Sequence, residues 1–107
     1  MQDRGIDPST GFLDRSSCLE LVPQLAFQAA SQGRPLASLW IDLDRFKLVN
    51  ESFGHLGGDT VIVQIARRLR ERSAGRAEWC RMGGDEFVCL APDCDLGQAE
   101  QLASDLL

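Results

Sequence analysis

Leu36-Ala37-Ser38-Leu39-Trp40-Ile41-Asp42-Leu43-Asp44 decides how the rest of this chain is read. Six of its first eight residues are apolar, too many for a strand with one wet face. The run is therefore expected to be a strand buried on both faces, the central strand of a sheet. Asp42 and Asp44 close it, and alternation would send both to one face beside a loop able to admit a ligand. A carboxylate at the end of a buried strand has no obvious structural task.

On the N-terminal side, Met1 to Asp7 is polar and interrupted by glycine, which reads as the end of a linker over residues 1–6. Asp7-Pro8-Ser9-Thr10-Gly11 is a dense turn signal, and a domain is expected from residue 7 to 107. Ser16 or Ser17 could cap a helix carrying Leu19, Val22, Leu25, Ala26 and Ala29 at helical spacing. Pro23 should kink that helix or delay its start, because proline removes a backbone donor and crowds the preceding turn. Gly33 and Pro35 should end it.

On the C-terminal side, the polar, glycine-rich stretch from Phe46 to Gly58 reads as a loop joining strand to helix. The helix is expected from about Asp59 to Arg72, with Gly58 or Asp59 as cap and Val61, Ile62, Ile65, Ala66 and Leu69 on its apolar face. Arg67, Arg68, Arg70 and Arg72 fall on the outer face, where a charge run is expected to be solvated. Glu78 to Met82 and Phe87 to Leu90 flank Gly83-Gly84-Asp85-Glu86, a hairpin signal in which the glycines would supply positive φ angles. Asp95 is placed to cap a final helix bearing Ala99, Leu102, Ala103 and Leu106. The order helix, strand, helix, hairpin, helix implies an α/β chain folded as an α+β sandwich, with helices flanking a mixed sheet. The final helical pattern carries no stop signal, so either further residues follow downstream or the fold closes in an unusual way.

Composition narrows the chemistry. The 107 residues suit one core, and the net charge of −5 disfavours nucleic acid or an anionic membrane as a general partner. No stretch approaches the roughly 20 apolar residues that span a bilayer, and no signal-peptide pattern opens the chain, so a cytoplasmic segment is expected, in a parent protein that could itself be membrane-tethered. Cys18, Cys80, Cys89 and Cys94 lack metal-ligand spacing and read as reduced, partly buried thiols.

The residues with chemical promise lie at the strand end and the hairpin tip. Magnesium takes oxygen ligands, commonly one or two carboxylates plus substrate phosphates, so Asp42 meeting Asp85 or Glu86 would make a sound constellation. Asp44 and Glu86 could instead cap turns or pair with Arg45 and Arg81. Lys47 and backbone amides of the following stretch could hold phosphates. Asn50 and Asp59 could read a guanine edge, although Asp59 could equally be a helix cap and His55 a structural histidine.

Taken together, Asp42-Leu43-Asp44-Arg45-Phe46-Lys47-Leu48-Val49-Asn50, then Gly54-His55 with Gly58-Asp59, then Arg81-Met82-Gly83-Gly84-Asp85-Glu86-Phe87 resemble the GGDEF family in order, spacing and content. Asp7-Pro8-Ser9-Thr10-Gly11-Phe12-Leu13-Asp14-Arg15 is similar to that family's opening motif, DxLTGLxNR. The resemblance implies a nucleotidyl-cyclase or polymerase-palm-like fold and a diguanylate cyclase, which condenses two GTP into cyclic di-GMP and releases two pyrophosphates. The alternative it leaves open is a GTP-binding regulatory module without catalysis, controlling an attached phosphodiesterase or other partner.

The resemblance also implies roles. Asp42, the carbonyl of Leu43, Asp85 and Glu86 would bind two Mg²⁺ ions per active site, with Mn²⁺ as a substitute. Asp85 would be the base for the ribose 3′-hydroxyl, Glu86 would assist at the metal site, and Lys47 would stabilise phosphate charge. Asn50 and Asp59 would recognise guanine, Phe46 and His55 would support the substrate site, and Gly83 and Gly84 would let the backbone approach a phosphate. Each protomer would hold one GTP, so a homodimer is implied, with an upstream sensory domain and a downstream domain as candidate neighbours in the parent. Ala74 and Ala77 stand where many members carry an inhibitory RxxD motif, so no product-inhibition site is expected. Ser9 and Phe12 replace leucines of the opening motif and Asp14 its asparagine. The family domain would continue for roughly another 50 to 60 residues, a length in keeping with ordinary domain sizes.

Overall fold

The computed structural model describes residues 5–107. Helix α1 (Arg15–Gln32) precedes strand β1 (Leu36–Asp42), helix α2 (Phe46–Ser73), the hairpin strands β2 (Glu78–Arg81) and β3 (Glu86–Pro92), and helix α3 (Leu96–Leu106). The sheet order is β1-β3-β2, antiparallel throughout, with Leu36 opposite Pro92 and Asp42 opposite Glu86 at its two ends. The expected parallel character is confined to an isolated bridge between Leu13 and Cys80.

Strand β3 organises the packing. Phe87, Cys89 and Ala91 face one side, where Ile62, Ala66 and Leu69 of α2 and Leu102 and Leu106 of α3 cover them; Val88 and Leu90 face the other, against Cys18 and Leu21 of α1. The result is a sandwich with one helix on one face and two on the other. Strand β1, expected at the centre, instead lies at one edge of this sheet. Ala37, Leu39 and Ile41 pack inward, whereas Trp40 is 65% exposed. A run of apolar residues signals burial on both faces, but the face of β1 that carries Ser38, Trp40 and Asp42 is exposed.

Local signals explain most element ends. Gly33 closes α1 with φ 63°, donating its N–H to Ala30, and Asp95 caps α3 in a reciprocal box with Gln98, both as expected. The cap of α1 differs from expectation. Asp14, not Ser16 or Ser17, accepts the Ser17 N–H at 2.9 Å, so the helix begins two or three residues earlier and runs through Pro23. The buried residues of α1 are Ser17, Cys18 and Leu21, with Leu25 packed beside them, while Leu19 and Val22 of the expected apolar face are exposed. Of the expected linker, residues 1–4 lie outside the described residues, while Gly5 and Ile6 are tied to Asp14 and Leu13.

The largest departure concerns residues 46–58, which are helical rather than a loop. Only Gly54, at φ 73° and ψ 175°, interrupts α2. Gly57 and Gly58 are helical, and neighbours use the space a side chain would need there: Phe53 stands over Gly57 and the Asn50 carboxamide over Gly58. The arginines of α2 are exposed, as expected of a solvated face, and three of them also reach backbone carbonyls. Arg68 and Arg72 donate to the carbonyls of Leu107 and Asp105, and Arg70 donates to Thr10 while lying 4.9 Å from the Phe12 ring centre. All four cysteines are free and buried; burial pushes the Cys80 thiol well above its ordinary range and Cys89 up to about 11.

Phe12, the residue that replaces a motif leucine, is 2% exposed, stacked on Trp79 and edge-on to Phe87. Phe12→Ala is expected to cost about 3 to 5 kcal/mol of stability. Phe27→Ala, at a position 74% exposed, should stay within about 0.5 kcal/mol. Urea denaturation of both variants checks this.

Candidate functional site

Asp42, Leu43, Asp85 and Glu86 converge on one end of the sheet. The antiparallel register sets Asp42 opposite Glu86, and directly paired residues project to the same face. Past Asp42 the chain leaves the strand, and the Leu43 amide donates to the Asp85 carbonyl at 3.1 Å, drawing the end of β1 onto the hairpin tip. Asp44 lies in the following turn and not in the strand, so alternation does not place it with Asp42. Arg45, at φ 61°, turns the chain into α2.

The tip itself is built from hydrogen bonds. Met82 and Gly83 both donate to the Glu86 carbonyl, at 2.9 and 3.4 Å, and Arg81 donates to the carbonyls of Gly83 at 3.2 Å and Gly84 at 2.8 Å. Neither Gly83 nor Gly84 has a positive φ, contrary to expectation. A side chain on Gly83 would crowd the Glu86 carboxylate, whereas Gly84 faces open space. The glycines thus keep the tip bare rather than permitting its conformation.

On α2, Lys47 is 91% exposed and faces Glu51 at 3.9 Å, a contact too loose and too wet to immobilise it. Phe46 is half-buried and packs on the core. Asn50 lies against Gly58, joining the two limbs of the kinked helix one residue from Asp59. Asp59 is exposed within the helix and caps nothing, which removes the capping explanation for that carboxylate. His55 is exposed just beyond the Gly54 break. Ala74 forms the left-handed cap of α2 and Ala77 is half-buried, so neither position offers a charged group.

Among the described residues, no group of three His, Cys, Asp or Glu side chains closes around a metal position. The oxygen donors that stand near one another, Asp42 and Glu86 with the Asp85 turn, suit a cation that brings phosphate oxygens and water with it, as magnesium does. A cavity of about 500 Å³ at the other end of β3, lined by residues including Arg76, Pro92 and Gln98, contains none of the sequence-derived candidates.

Comparison with known proteins decides the family. The model of the family described as "Diguanylate cyclase, GGDEF domain" matches residues 5–106. The chain belongs to the GGDEF domain family. Similar curated proteins include the diguanylate cyclase DgcP of Pseudomonas aeruginosa, 38% identical over 94% of this chain, and the response regulator PleD of Caulobacter vibrioides, 37% identical over 91%. Another is the cyclic di-GMP phosphodiesterase PdeB of Shewanella oneidensis, 40% identical over 94%. The chain spans only 15%, 21% and 11% of those proteins.

Solved GGDEF domains share the fold. The FimX GGDEF domain of Pseudomonas aeruginosa superposes with a TM-score of 0.92 at 28% identity, covering 98% of this chain and 65% of that one. A YfiN chain from the same organism comprising only the GGDEF domain gives 0.88 at 34% identity, covering 95% and 60%. The fold is therefore the cyclase, palm-like α+β arrangement of GGDEF domains.

Sequence reasoning did not pair Arg81 with Asp7, yet they form an ion pair at 3.2 Å with side chains 15% and 18% exposed. The turn chemistry of Asp7-Pro8-Ser9-Thr10 was a visible signal for half of it. Burial opposes the charge on Asp7, but hydrogen bonds from Thr10 and Arg81, with the Arg81 charge, hold its carboxyl below the ordinary range. Stability from this source is complete above the unfolded value of about 3.9 and is lost as pH falls through the lower folded value. Asp7→Asn should therefore be less stable than wild type near about pH 6, with the gap closing below about pH 4. Thermal melts across that range check it.

Proposed function

We propose that the protein carrying this chain is a diguanylate cyclase, joining two GTP into cyclic di-GMP. The observation that carries the reading is the meeting of Asp42, Glu86 and Asp85 at one sheet end: two carboxylates in direct register and a third on a turn bonded to the residue after Asp42. Kinship with DgcP supports it.

In this reading Asp42, the Leu43 carbonyl, Asp85 and Glu86 hold two Mg²⁺ ions, which when bound neutralise phosphate charge and favour ionisation of the attacking hydroxyl. Asp85 accepts the proton of the ribose 3′-hydroxyl, whose oxygen attacks the α-phosphorus of the second GTP as pyrophosphate leaves. Lys47, free to swing, meets the phosphate charge. Asn50 and Asp59, with no capping role to explain the latter, hydrogen-bond the guanine edge. His55, beside the break in α2, and Phe46 flank the nucleotide, and Gly83 and Gly84 keep the tip clear for its phosphates. One GTP lies on each protomer, so the working unit is a homodimer acting in the cytoplasm.

The kinship with PdeB favours a second reading, in which the domain binds GTP without turning it over and controls a phosphodiesterase on the same chain. A partner protein is a further avenue of control: the solved diguanylate cyclase SiaD of Pseudomonas aeruginosa, 32% identical, is in complex with its activator SiaC.

The test is incubation of the purified protein with GTP and Mg²⁺, with chromatography for cyclic di-GMP. Product is expected from wild type, reduced at least about a hundredfold in Asp85→Ala, the scale of removing a group that acts on the transition state. Asn50→Ala and Asp59→Ala should raise KM for GTP while the fold is retained. Tight GTP binding without product would select the regulatory reading.

A further inference from the structure

The hairpin tip poses a positional problem that its glycines do not solve. Gly84 has nothing within 4 Å of where a side chain would begin, and neither tip glycine uses a conformation closed to other residues. The tip is therefore held by hydrogen bonds rather than by packing. Two of these come from a single side chain: Arg81 donates from Nε to the Gly83 carbonyl and from Nη2 to the Gly84 carbonyl.

The remaining nitrogen of that guanidinium points the other way. Nη1 donates to both carboxylate oxygens of Asp7, at 3.3 and 3.2 Å. Asp7 is in turn fixed by the amide and hydroxyl of Thr10, at 3.0 and 2.7 Å, and its backbone pairs with Phe12 and Gly11. An aromatic cluster anchors Phe12. A continuous set of short contacts thus runs from the entering segment of the domain to the turn that carries Asp85, and it passes through one planar cation.

We propose that Arg81 is a positioning residue that sets the conformation of the Gly83–Glu86 turn, and that Asp7 is the anchor that holds Arg81 in place. The proposal deepens the cyclase reading and rests on it for its kinetic consequence. Arginine is needed because three acceptors lie in three directions around one rigid fork; lysine could keep the charge pair with Asp7 but could not bond both glycine carbonyls as well. Because the Asp85 carbonyl also accepts from Leu43, a loosened tip would move the Asp85 carboxylate relative to Asp42. The entering segment and the catalytic turn would then be coupled mechanically.

The discriminating variant is Arg81→Lys, read first by amide hydrogen exchange without nucleotide. The amides of Leu43 and Met82, which report on the tip, should exchange at least about tenfold faster, the scale of losing a charge-assisted hydrogen bond, while Cys89 and Leu90 in β3 stay protected. Asp7→Asn should show the same local pattern to a smaller degree, and it decides the matter if Arg81→Lys fails to fold. In the cyclase assay, Arg81→Lys should lower kcat at least about tenfold with KM for GTP nearly unchanged, because the lost contact orients the turn rather than the base. Unchanged exchange at Leu43 and Met82, or uniform loss of protection across β3 in both variants, would overturn the proposal. The exchange readout needs no turnover: a wild type that makes no cyclic di-GMP but shows the local pattern retains the clamp and sinks only the cyclase reading.

Discussion

Strand β3 has to be covered on both faces, and the rest of the molecule follows from that constraint. Five consecutive side chains, Phe87 to Ala91, are buried, so alternate residues demand an apolar layer on each side. Removing that much apolar surface from water is the main source of stability available to a chain this size. Helix α1 supplies one layer and α2 with α3 the other, and the arginines along the end of α2 fasten α3 by its last carbonyls. With β3 held, its first residue and the turn before it stand at a fixed rim, and β1 delivers Asp42 to the same rim by pairing in register. The candidate site is thus a consequence of core packing at one end of a strand.

Much of this was legible in the residues. The hairpin, the glycine stop of α1 and the capped final helix each rest on local chemistry: a turn signal between apolar runs, a residue tolerant of positive φ, and an Asp before an apolar helical pattern. The choice of central strand was not legible, because two apolar runs compete for the centre and only the pairing of β2 with β3, a tertiary fact, decides between them. Residues 46–58 were misread for a different reason. Glycines at 54, 57 and 58 are individually poor helix residues, yet Asn50 and Phe53 fill the space above two of them and only Gly54 leaves the helical region.

The site divides in the same way. That Asp42 and the hairpin carboxylates would stand near one another was legible from a strand end and a turn signal, and the register of β1 with β3 brings them together. The clamp on the turn was hidden, because Asp7 and Arg81 are 74 residues apart and each has an ordinary surface explanation. Arg81 had been weighed only as a partner for a nearby carboxylate. Its burial beside Asp7, with two backbone carbonyls completing its donors, shows that a side chain two places before the glycines can organise a turn whose glycines do not organise themselves.

The most direct test of where this domain does its chemistry is an amide NMR titration with Mg²⁺ and a non-hydrolysable GTP analogue. Shift changes are expected at residues 42–59 and 83–86, which take in the end of β1, the first part of α2 and the hairpin tip. Changes confined to the far end of the sheet, around Gly75, Pro92 and Gln98, or no saturable changes at all, would contradict the placement of the nucleotide at the signature turn.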